Sequence, residues 1–123
     1  YRISSKCIEK NDSSGKLIEF PLLTTRFLGK KIPAAGGFYL RSLPTKVIKN
    51  AIKNYEKECM PATFYIHSWE LTPEFMPRLN LPLKDKFVTY HNLGKAYSRM
   101  SELLKHFEFT SFGRYIAENE MMI

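Results

Sequence analysis

The stretch Ala62-Thr63-Phe64-Tyr65-Ile66-His67-Ser68-Trp69-Glu70 governs the reading of this chain. Its first part follows Pro61 and is a nearly continuous run of β-branched and aromatic side chains. Such a run predicts a strand covered on both faces, as in a parallel sheet. Its second part sets an imidazole, an indole and a carboxylate at the strand's exit. In parallel α/β folds, ligands bind beyond the carboxyl ends of the strands. A histidine placed there can transfer protons near neutral pH. Trp69 can wall a sugar site, with its face on apolar sugar surface and its N–H still free to donate. Glu70 either orients His67 or stays in solvent. The plainer alternative for His67 is a structural histidine at a strand end.

N-terminal to this stretch, Pro44 suits a helix start. Val47, Ile48, Ala51, Ile52 and Tyr55 then recur at helical spacing, with Lys46, Lys49, Lys53 and Lys57 on the other side. Before that helix lies Gly36-Gly37-Phe38-Tyr39-Leu40-Arg41, whose glycines permit close approach of a partner and whose apolar run predicts a strand. Arg41 can pair with a carboxylate or bind an anion in a bidentate manner; the alternative is a surface ion pair. Lys16 to Phe20 reads as a short strand ending at Pro21, and Arg26 to Ile32 as an extended piece around a turn at Gly29-Lys30.

C-terminal to it, Leu71 to Lys86 reads as a long loop and Phe87 to His91 as a strand. Asn92 is expected to cap a helix whose apolar positions are Leu93, Ala96, Tyr97, Met100, Leu103, Leu104 and Phe107. Phe107 to Thr110 reads as a last strand, and Ser111 as the cap of a short helix through Ile116. The fold class is α/β: about four or five short strands with two main helices, too few for a closed eight-stranded barrel, so a partial or irregular (β/α) barrel-like fragment.

The 123 residues fit a single domain, with 1–16 irregular and a polar loop from Lys10 to Lys16. The hydrophobic fraction of 44% and charged fraction of 25% are those of an ordinary globular protein. The formal charge of +7 is spread over dispersed lysines and arginines, which reads as a solvated basic surface; nucleic acid is not expected as a partner. No run is long and apolar enough for a membrane span, so no membrane partner is expected. The opening at Tyr1, without Met or signal-peptide anatomy, reads as a processed chain or a fragment and leaves localisation open. Cys7 and Cys59 form neither a zinc motif nor a disulfide framework; reduced thiols are the default, with one disulfide between them as the alternative. His91 precedes the Asn92 cap, and His106 sits in a last helical turn, where a cation suits the dipole. With no Asp/His/His or His-x-x-x-His arrangement, no metal site is expected within this chain.

Four motifs in order resemble a known family. Glu19-Phe20-Pro21-Leu22-Leu23-Thr24-Thr25, Leu28-Gly29-Lys30-Lys31-Ile32-Pro33, Ala35-Gly36-Gly37-Phe38-Tyr39-Leu40-Arg41 and Phe64-Tyr65-Ile66-His67-Ser68-Trp69-Glu70 are similar to the C-terminal region of the polysaccharide deacetylases of exopolysaccharide gene clusters. These are NodB-like, metal-dependent carbohydrate esterases. A pattern like Tyr90-His91-Asn92-Leu93 and a closing helix follow, so the resemblance runs from Glu19 to about Phe112. Ser68 stands where the family usually has Pro, Phe38 where a third Gly is common, and Leu40 where Phe is common.

The resemblance implies an irregular (β/α) barrel and a parent that removes N-acetyl groups from a hexosamine-containing polysaccharide. It implies a divalent metal, usually zinc, held by an Asp and two His in motifs upstream of the region represented here; this sequence contains neither motif. It places His67 as the acid for the leaving amine, and Trp69, Glu70, Arg41, Gly36 and Gly37 around the substrate. The implied partners are the polysaccharide and the remainder of the deacetylase chain, with the cytoplasm favoured for the parent. The alternative is a non-catalytic glycan-binding or protein-interaction module derived from the same family. Splitting a barrel exposes strand edges, so a homo-oligomer paired through such an edge is a further expectation.

Overall fold

The computed structural model describes residues 2–3, 15 and 17–119. Cys7 and most of the polar loop expected over Lys10 to Lys16 lie outside the described residues. In chain order the elements are β1 (Arg2–Ile3), β2 (Leu17–Ile18), β3 (Thr24–Phe27), β4 (Lys30–Pro33), α1 (Gly37–Ser42), α2 (Thr45–Lys57), α3 (Ser68–Leu71), α4 (Leu83–Tyr90), α5 (Ala96–His106) and α6 (Phe112–Glu118). Short 3-10 turns, Pro73–Phe75 and Leu93–Lys95, precede α4 and α5. The fold is mixed α/β and is not a closed barrel. The chain divides into two compact units, Leu22–His106 and Tyr1–Pro21 with Phe107–Ile123.

The larger unit begins with an antiparallel hairpin, in which Thr24 faces Pro33, Thr25 faces Ile32, Arg26 faces Lys31 and Phe27 faces Lys30. The turn is Leu28-Gly29, one residue earlier than expected, with φ of 49° and 77°. Two successive positive φ values give a turn whose twist matches that of the strands. The expected helix over 45–57 forms as α2, with Ile48, Ala51 and Ile52 buried. The Tyr55 hydroxyl meets the Thr24 amide at 3.2 Å, tying the helix to β3. In α5, Ala96 and Leu103 are buried, whereas Tyr97 and Leu104 face outward. Leu23, Leu40, Ile48 and Leu103 are fully buried; each contributes about 1.5–3 kcal/mol.

Three expected strands are not strands. Residues 37–42 form α1 because Gly37, Leu40 and Arg41 must all face inward, and only helical spacing puts them on one face. Arg99 from α5 then closes the helix, donating to the carbonyls of Leu40 and Leu43 at 2.8 and 2.7 Å. The expected strand over 87–91 is the end of α4, which opens at Pro82 and so also shortens the expected loop over 71–86. Aromatic and β-branched content suggested a strand there, but that propensity yields to tertiary context. Residues 107–110 have no regular structure.

The run Ala62 to His67 is extended, and among the described residues it is bridged in parallel at Leu22↔Thr63 and Gly36↔Tyr65 without forming a named strand. It is not covered on both faces: on the face shared by Thr63 and Tyr65, Thr63 is buried but Tyr65 is 56% exposed, and Phe64 and Ile66 opposite are half-buried. Asn92 lies in the left-handed region at φ 51° and does not cap by its side chain; its amide donates to the Arg41 carbonyl at 3.3 Å instead.

In the smaller unit β1 pairs with β2, Arg2 facing Ile18 and Ile3 facing Leu17, so part of the expected irregular start is a strand. The Ser111 hydroxyl accepts from the Arg114 amide at 3.2 Å, and α6 is capped as expected. Phe20 stacks on Phe112 with ring centroids 4.7 Å apart. No helix among the described residues is long and apolar enough to cross a membrane. Cys59 is an exposed free thiol.

Candidate functional site

The extended run delivers His67 to the N-cap of α3 with φ −83° and ψ 147°. Glu70 lies one turn on and reaches back, its Oε2 accepting from the His67 amide at 3.1 Å. This is the return arm of a capping box, and it explains why a helix of only four residues holds. The same oxygen lies 3.4 Å from His67 Nδ1. On the other side of the ring, Nε2 meets the Tyr65 hydroxyl at 3.0 Å. Trp69 stacks beside the imidazole, with centroids 5.5 Å apart and planes 24° apart. The His67 side chain is 47% exposed, so it is held on three sides and open on the fourth.

Beneath it lies a buried ion pair. Arg41 Nη2 donates to Glu70 Oε1 at 3.0 Å, with the two side chains 2% and 3% exposed. Arg41 Nε donates to the Gly37 carbonyl at 3.2 Å. Nη1 donates to the carbonyls of Thr89 and His91 at 3.2 and 2.6 Å, and Nη2 also to Val88 at 3.2 Å. A guanidinium has five N–H donors, and each has an acceptor here. Three of those acceptors lie at the carboxyl end of α4, where unpaired carbonyls and the helix dipole favour a cation. Both Glu70 oxygens are likewise engaged, one by Arg41 and one by His67. A Cβ on Gly37 would overlap the Glu70 carboxylate, whereas one on Gly36 would meet only Tyr39, at 3.6 Å. Gly37 is therefore glycine because the carboxylate packs on its Cα; Gly36 is the residue that bridges to Tyr65.

All six residues singled out from the sequence, His67, Trp69, Glu70, Arg41, Gly36 and Gly37, thus belong to one connected group. Arg41 and Glu70 are buried, so anything they do for a bound solute passes through the groups they hold. His91 lends its carbonyl to Arg41, and its ring packs 4.6 Å from that of Phe87. His106 belongs elsewhere, bonded to the Glu102 carbonyl at 2.8 Å and to Lys49 at 3.2 Å. The sequence marks Tyr65 only as a strand former. The signal for it was its spacing, since residues i and i+2 of an extended run share a face.

Residues 2–117 match the model of the family described as Domain of unknown function (DUF3473). The chain belongs to this family. No curated protein and no solved structure matches it. Among the described residues of this DUF3473 domain there is no cluster of three or more His, Cys, Asp or Glu that could hold a metal, and both oxygens of Glu70, the carboxylate beside the imidazole, are already hydrogen-bonded.

Proposed function

We propose that this domain is the C-terminal part of a polysaccharide deacetylase that removes N-acetyl groups from a hexosamine-containing polymer. The observation that carries the reading is the half-exposed His67 ring, flanked by Tyr65 and Trp69 and backed by Glu70 and Arg41. Glu70 beside Nδ1 favours the form with a proton on that nitrogen and leaves Nε2 as the atom that exchanges a proton with solute. As the carbon–nitrogen bond of the acetamide breaks, protonated His67 gives its Nε2 proton to the departing sugar nitrogen. Tyr65 O–H, already against Nε2, holds the ring at rest and yields to the substrate. Trp69 and Tyr65 offer apolar faces to a sugar ring.

The residues described here do not fit a metal, so no step of this account passes through one. On this reading, the water-activating metal and its ligands come from the remainder of the deacetylase chain. The test is His67→Ala in the full-length protein. We expect a loss of about 10²–10⁴-fold in rate, the usual worth of a general acid, with metal content unchanged. Full activity in that variant would remove His67 from the mechanism.

A second reading, a non-catalytic glycan-binding module, draws on the same exposed Tyr65 and half-buried Trp69. Calorimetric titration of N-acetylated oligosaccharide into the chain alone separates the two: tight binding that His67→Ala leaves intact favours the module.

A further inference from the structure

Pro73, Met76, Arg78, Tyr90 and Leu93 line an open cavity of about 300 Å³, at the lower edge of the size range of small-molecule sites. No member of the His67 group lines it. Its wall is a proline ring, a thioether, a buried leucine and the face of Tyr90. Its one charged group is Arg78, which is exposed and has no hydrogen bond or ion pair among the described residues.

Arg78 is nevertheless not on a free loop. The Tyr90 hydroxyl donates to the Pro77 carbonyl at 2.8 Å and accepts from the Leu79 amide at 2.8 Å. These two bonds grip the backbone immediately before and after Arg78. The backbone of Tyr90 is fixed in turn, because Arg41 holds the carbonyls of Thr89 and His91 on either side of it. One phenol thus sets both the wall of the cavity and the segment that carries its cation.

We propose that this cavity is a subsite for an acidic sugar, a hexuronate, with its carboxylate on Arg78 and an apolar ring face on Tyr90 and Met76. A guanidinium without a counter-ion fits a carboxylate through two parallel bonds. No other side chain in the lining has a free N–H or O–H, since the Tyr90 hydroxyl proton is already given to Pro77. A neutral sugar would therefore lack the one charge-assisted contact that the cavity offers. The 3-10 turns that carry Pro73 and Leu93 both contact α3, the helix that His67 caps. The sugar part of this assignment rests on the glycan reading above and gives the polymer a further property, uronic acid units alongside its N-acetylated ones. The need for an anion rests on Arg78 alone.

The experiment titrates glucuronate, glucose and acetate separately into the chain while following the Met76 methyl resonance, assigned through Met76→Leu. Glucuronate should give a saturable shift, and glucose and acetate should bind roughly tenfold or more weakly. Arg78→Gln, at an exposed position, should leave the spectrum folded and weaken glucuronate by a similar factor. Tyr90→Phe keeps the ring but releases the grip on Arg78, and should weaken glucuronate while leaving glucose unchanged. Glucuronate bound equally well by Arg78→Gln would overturn the proposal, as would glucose or acetate matching glucuronate. Absent glucuronate binding in a protein that still loses deacetylation on His67→Ala removes the subsite and spares the deacetylase. Saturable, Arg78-dependent binding in a protein whose activity ignores His67 does the reverse.

Discussion

Replacing Gly37 by Ala tests the packing under the imidazole. The added methyl would occupy the space of the Glu70 carboxylate, which cannot simply swing aside. One of its oxygens is held by Arg41 at 3.0 Å and the other by the His67 amide at 3.1 Å. Displacing it separates a buried ion pair, which costs about 3–5 kcal/mol when one partner is left behind. Against this, Ala is favoured over Gly inside a helix by about 0.5–1 kcal/mol. The net expectation is a loss of about 2–4 kcal/mol, measured by urea denaturation with the slope unchanged. Gly36→Ala is the control: its methyl meets only Tyr39 at 3.6 Å, and Ala in place of Gly at an N-cap costs about 1 kcal/mol or less. Combining Gly37→Ala with Glu70→Ala should cost clearly less than the sum of the two, because both disrupt one interaction. A Gly37→Ala protein within about 1 kcal/mol of the parent would refute the reasoning, since the carboxylate would then have room that the structure denies it.

The remaining predictions concern other anchors. Arg41→Lys keeps the charge but replaces a five-donor fork by three donors that cannot reach all five acceptors in three segments. We expect a loss of about 2–4 kcal/mol, with the His91 amide, bonded to the Phe87 carbonyl at 2.9 Å, losing hydrogen-exchange protection first. Leu28 holds φ 49° while 87% exposed, so Leu28→Asn should raise stability by about 0.5–1 kcal/mol by thermal unfolding; a fall would mean that the leucine has a partner. The bond from Lys49 holds Glu102 below its usual carboxylate range, at an N–O distance of 2.6 Å. A lowered folded value means that the contribution is present above the unfolded value of 4.5 and is lost as pH falls through the folded one. Glu102→Gln should therefore flatten the stability profile below about pH 4.5 and nowhere else; an unchanged acid limb would count against the bridge.

Short-range pattern alone was enough for several elements of this protein. The buried face of α2, the extended piece over 26–32 with its turn and the Ser111 cap all follow from spacing, turn residues and local hydrogen bonding, and each formed, the turn one residue earlier than expected. The grouping of His67, Trp69 and Glu70 was also legible, because their separation is fixed by the chain itself. Tertiary structure decided what short-range pattern cannot see. The apolar run after Gly36-Gly37 and the run over 87–91 carry the aromatic or β-branched content of strands, yet residues 37–42 and 83–90 are helices. The acceptors that satisfy Arg41 come from α1, α3 and the end of α4, segments far apart in sequence. A buried guanidinium must find all its partners at once, and that requirement, rather than the propensity of any one segment, set the shape of the chain around it.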